Sequence, residues 1–79
     1  MWTCEEERTY QFVKSLIRRV HRITLTHGFE KIEFAKQRDG KFIRRDVFSG
    51  REVVETDVPP EAVVVAVFRA LRAGWKICR

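Results

Sequence analysis

Asparagine is absent from this 79-residue chain, and cysteine, proline and methionine are scarce: two, two and one. Two cysteines, Cys4 and Cys78, are too few for the four, six or eight that staple a small secreted domain. They point instead to reduced thiols and a cytoplasmic protein. Long apolar runs are missing too. Stretches such as Ala62–Phe68 hold seven uncharged residues, whereas a bilayer span needs about 20, so no membrane partner is expected. The N-terminus reads Met-Trp-Thr-Cys-Glu-Glu-Glu-Arg, acidic where a secretory signal is basic and then apolar. The missing amides fit a hot environment and a GC-rich genome equally well, and therefore exclude nothing.

What is present is globular composition, with 44% hydrophobic and 34% charged residues. The length allows one domain, residues 1–79, and at most a shallow site, because a chain this short buries only about 60–65% of its unfolded surface. Sixteen Lys and Arg against eleven Asp and Glu leave a net charge of +5, with an isoelectric point near 9.8.

The opening segment reads as a helix over about 3–26. Thr3 followed by Glu6 matches a capping box, and Glu5–Glu7 suit the positive end of the dipole. Val13, Leu16, Ile17 and Val20 then share a face with Thr9 and Thr24, and Gly28 after His27 reads as the stop. Beyond Phe29 the period changes to two. Strands are expected at about 29–36, 42–48 and 51–57, joined by turns at Gln37–Gly40 and Ser49-Gly50. A two-residue second turn would place Arg44 opposite Glu55; a three-residue loop would pair Val47 with Val53. Both registers satisfy the hydrophobic pattern.

Pro59-Pro60-Glu61 signals a second helix, about 60–73, with Val64, Val67, Phe68 and Leu71 as its apolar stripe and Gly74 as its end. The short tail from Trp75 onward is expected to fold back and pack. The predicted fold is thus α+β in the order α-β-β-β-α: a three-stranded antiparallel meander with two helices packed on one face. Counting chain reversals, the helices should run parallel, with Cys4 and Cys78 at opposite ends and no disulfide.

That order and size resemble the double-stranded-RNA-binding domain over the whole chain. The family's lysine-rich motif at the start of its second helix is replaced here by Pro59-Pro60-Glu61-Ala62-Val63, and the loop Gln37–Lys41 lacks its counterpart as well. The resemblance is therefore one of topology alone.

Charge is unevenly divided. Residues 1–27 carry five basic and three acidic side chains, residues 28–58 seven of each, and residues 59–79 four and one. Lys14, Arg18 and Arg22, at spacing i, i+4, i+8, form a candidate phosphate-contacting ridge, which Arg69, Arg72 and Lys76 extend. The plain alternative is a solvated helical face. Phe34, Phe42 and Phe48 lie near basic residues, as base-stacking rings do, yet a small one-sided sheet needs such residues for its core.

A second candidate surface is the row Ala62, Ala66, Ala70 and Ala73, whose small side chains permit close approach of another helix. Packing against the first helix accounts for it equally. His21 and His27 have no partner at metal-ligand spacing, and no phosphate loop or catalytic motif occurs, so neither metal, cofactor nor catalytic residue is assigned. The sequence thus points to a non-enzymatic module that binds protein through the second helix, as adaptor, inhibitor or homodimer. Nucleic-acid binding through the basic residues is the alternative, and an enzyme with a site the sequence does not reveal is a third.

Overall fold

The computed structural model describes residues 2–78. The elements run α1 (Cys4–Arg19), β1 (Arg22–His27), β2 (Glu30–Lys36), β3 (Phe42–Phe48), β4 (Arg51–Val58), α2 (Pro60–Arg72) and β5 (Lys76–Cys78). The strands form one antiparallel sheet in the order β4-β3-β2-β1-β5. The α+β class stands, but the sheet has five strands where three were expected.

The first helix begins as its sequence dictates. The Thr3 hydroxyl accepts from the Glu6 amide at 3.1 Å while the Glu6 carboxylate accepts from the Thr3 amide at 3.3 Å, a complete capping box. It ends at Arg19 rather than near Thr26. Residues 22–27, Arg-Ile-Thr-Leu-Thr-His, are β1 instead, with Ile23 and Leu25 buried and the intervening threonines turned to the other face. Alternation of apolar Ile23 and Leu25 with Thr24 and Thr26 competes with the helical period, and pairing with β2 decides for the strand. His27 pairs with Glu30 across Gly28-Phe29, and Gly28 has φ 60°. Gly28 is therefore the first central residue of a two-residue hairpin loop, not a helix stop.

The other turns follow the sequence more closely. Gln37–Lys41 closes the β2–β3 hairpin, with the Lys41 amide donating to Asp39 Oδ1 at 3.0 Å. Ser49 and Gly50 both have positive φ, 49° and 78°, as a type I′ turn requires. That two-residue turn sets Arg44 opposite Glu55. Near the end of β4 the register slips by one, and Asp57 takes φ 57° at the bulge, which brings Val58 opposite Phe42 and into the core.

An even number of meander strands reverses the expected helix orientation. Arg72, at the end of α2, pairs with Glu6, at the start of α1, at 3.0 Å, and Lys14 and Arg18 share a cleft with Pro60 and Glu61. The helices are antiparallel. Both cysteines are free and exposed: Cys78 lies in a cleft with Leu16 and Arg19, about 18 Å along α1 from Cys4 at 1.5 Å per residue.

One face of the sheet carries the core. Ile23 and Leu25 of β1, Phe34 of β2 and Phe42 of β3 meet Val13, Leu16 and Ile17 of α1 and Val63, Val64, Val67 and Ala70 of α2. Trp2, Tyr10 and Phe68 close one end with ring centroids 5.1–5.6 Å apart. The tail folds back as a strand, not merely as a packed extension: β5 pairs with β1, while Trp75 and Ile77 pack against the core. The extra strands also break the α-β-β-β-α order, so the topological resemblance to the double-stranded-RNA-binding domain does not hold.

Candidate functional site

Two surfaces collect the residues that sequence patterning singles out. The first lies between α2 and the β3–β4 hairpin. Register fixes which side chains share it: Phe34, which faces the helices, is opposite Arg44, and Arg44 is opposite Glu55. Directly opposed residues of an antiparallel pair project from the same face. Arg44, Asp46 and Phe48, with Arg51, Val53 and Glu55, therefore lie on the helix side of the sheet. The helices do not reach across all of it. Val53 is 65% exposed and Phe48 54%.

On the α2 side, Glu61, Ala62, Val65, Ala66 and Arg69 line an open cleft of about 630 Å³ with Arg44. Arg44 is fixed by its ion pair with Asp46 at 2.8 Å and by its position 5.6 Å from the Phe34 ring centroid. The opposite face carries Val54 and a charge ladder in which Arg45 bridges Glu33, at 3.7 Å, and Glu52, at 2.6 Å.

The alanine row does not survive as one surface. Ala62 is exposed and Ala66 half-buried beside the cleft, whereas Ala70 belongs to the core and Ala73 follows the end of the helix. Val63, Val67 and Ala70 stand at i, i+4, i+7, so the stripe buried under the sheet takes Ala70 with it. Sequence patterning missed Val53, Val54 and Val65. Only a fixed register shows that the two adjacent valines of β4 lie beyond helix cover.

The second surface is a basic pole. The ridge Lys14, Arg18, Arg22 is not helical throughout, because Arg22 opens β1. The fold nevertheless gathers cations at that end. The Lys36 amide donates to the His21 carbonyl at 2.7 Å, and its ammonium donates to the Arg18 carbonyl at 3.3 Å. The end of α1, the start of β1 and the β2–β3 loop therefore meet. Arg18, Arg19, Arg22, Lys36, Arg38 and Lys41 all belong to the segments that meet at this end, with Lys14 one turn further along α1. Asp39, Asp57 and Glu61 are the acids at this end. Neutral charge over residues 28–58 concealed the contribution of the sheet.

The remaining predicted cations lie elsewhere. Arg69 faces the α2 cleft, Arg72 is paired with Glu6, and Lys76 lies on β5 opposite Thr26. Phe34 and Phe42 are core residues, leaving Phe48 as the exposed ring of the three. His27 stacks on Trp75 at 5.3 Å. Among the described residues, no three His, Cys, Asp or Glu side chains gather to hold a metal ion, and no helix is long and apolar enough to cross a membrane. No family model, curated protein or solved structure matches the chain.

Proposed function

We propose that this protein is a binding module that works through protein–protein contact, using the outer side of α2 and the edge strand β4. The observation that carries this reading is the apolar exposure on adjoining elements: Phe48 and Val53 on the helix side of the hairpin and Val65 on α2. Exposed apolar groups so concentrated, and rimmed by Arg44, Arg69, Glu55 and Glu61, have the composition of a docking surface. Edge-strand backbone groups add hydrogen-bonding capacity that a partner strand satisfies.

A photo-crosslinking amino acid tests the reading in cells that express the gene natively. Placed at Val53 or Val65, it should give an adduct of one discrete mass; placed at Gln11, on the exposed side of α1, it should not. Equal labelling at the three positions, or none, overturns the assignment.

A second reading is favoured by the cations that converge from α1, β1 and the β2–β3 loop: contact with nucleic-acid phosphates at the basic pole. With about five phosphates engaged, affinity for a fluorescein-labelled duplex should fall by roughly two to three orders of magnitude between about 50 and 200 mM salt. Fluorescence anisotropy measures this, and Arg18→Glu with Arg22→Glu should weaken the low-salt binding. Salt-independent binding removes the second reading.

A further inference from the structure

We infer that the partner at β4 is a second copy of this chain, added antiparallel to the first so that one sheet runs through both copies. The inference rests on the docking surface proposed above and names its occupant. It starts from the two edges of the sheet. β5 is only three residues long and offers little to pair with, whereas β4 spans eight. The bulge at Asp57 spoils pairing at the far end of β4. Residues 51–55, Arg-Glu-Val-Val-Glu, are left straight and without proline, lysine or a bulge to block addition of another strand.

Which backbone groups are free follows from the hairpin. Across a two-residue turn the flanking pair, Phe48 and Arg51, exchanges both backbone hydrogen bonds, and such pairs alternate along the ladder. Arg51, Val53 and Glu55 therefore point their amides and carbonyls inward to β3. Glu52 and Val54 point theirs outward, where a second strand would find them.

A two-fold axis at Val53 uses these groups without leaving any of them unpaired in the straight segment. Glu52 of each copy then exchanges hydrogen bonds with Val54 of the other. The intervening positions are the non-hydrogen-bonded pairs, whose side chains approach most closely. There Val53 meets Val53, on the helix side, and covers the most exposed aliphatic side chain of the hairpin. On either side of it Arg51 of one copy meets Glu55 of the other, twice by symmetry. An isologous interface must be self-complementary in this sense. Moving the axis to Val54 sets Arg51 against Asp57 within the bulge and Val53 against Glu55, losing both the apolar contact and the straight ion pairs.

Light scattering on the size-fractionated protein tests the pairing, across about 1–100 μM. The parent should have twice the chain mass at the upper end of that range. Arg51→Glu puts glutamate against glutamate at both symmetric positions and should weaken the dimer about tenfold or more, since like charges directly opposite are destabilising. Val53→Lys should abolish it. Arg51→Glu combined with Glu55→Arg exchanges the charges and should restore dimerisation in part, which a generally damaged fold would not do; circular dichroism confirms that each variant remains folded. A dimer indifferent to all three changes uses another surface and overturns the inference. So does a folded parent that is monomeric throughout. If that monomer still gives a discrete Val53 adduct with a different chain, the docking surface stands and only self-pairing fails; without such an adduct both fail.

Discussion

Replacing Phe34 with alanine should bring the protein close to unfolding. Phe34 lies in the middle strand of the sheet, is 1% exposed, and stands opposite Ile23 on one side and Arg44 on the other. Removing a buried ring deletes its transfer free energy and leaves a void that neighbours fill only partly, a loss of about 3–5 kcal/mol. A chain of this length has a total stability of about 4–12 kcal/mol, so the change consumes a large share of it. The Arg44 guanidinium, 5.6 Å from the ring centroid, also loses the aromatic face it lies against. In thermal melts the midpoint should fall by about 15–30 °C, at about 4–8 °C per kcal/mol for a domain of this size. Phe48→Ala, at an exposed position of the neighbouring strand, should move stability by no more than about 0.5 kcal/mol. If urea melts place the two variants within about 1 kcal/mol of each other, the core is not centred on β2.

Local signals in the sequence located α2, the β2–β3 and β3–β4 turns, and the start of α1, because each is marked by residues with strong conformational demands. Thr3 with Glu6 caps a helix, Pro59-Pro60 opens one, and Ser49-Gly50 tolerates the positive φ of a tight turn. The boundary at Arg19 carries no such mark. Val20, Ile23 and Thr24 extend a helical stripe as readily as Ile23 and Leu25 begin a strand, and Gly28 serves both a helix end and a hairpin. Only tertiary pairing with β2 decides between them.

That single ambiguity propagated through the fold. One more strand reverses the direction in which the chain enters α2, turning parallel helices into antiparallel ones. It also moves Arg22 from a helical ridge to the start of a strand. The sheet's share of the basic pole and the β4 edge were both hidden for the same physical reason. Each is made by side chains distant in sequence that strand register brings to one place. The Lys36–Arg18 contact, eighteen positions apart, exemplifies the first, and the exposure of Val53 beyond the reach of α2 exemplifies the second.

Glutamate at two positions of the former alanine row separates a docking surface from a core. Ala70→Glu should be strongly destabilising, because Ala70 packs among the buried residues beneath the sheet and its backbone carbonyl accepts from the Trp75 amide at 2.9 Å. A carboxylate there must either lose its water or push the helix outward, at a cost of about 2–4 kcal/mol. The corresponding fall in melting midpoint is about 10–25 °C. Ala62→Glu should do almost nothing to stability. Ala62 is exposed in the first turn of α2, where a carboxylate interacts favourably with the positive end of the helix dipole, by about 0.3–1 kcal/mol. Paired thermal melts of the two variants settle the distinction. Equal midpoints mean that α2 rotates to bury a face other than the one carrying Val63, Val67 and Ala70. Because Ala62 lines the cleft with Val65 and Arg44, the folded Ala62→Glu protein is also the variant in which a loss of partner binding at α2 can be read without a loss of structure.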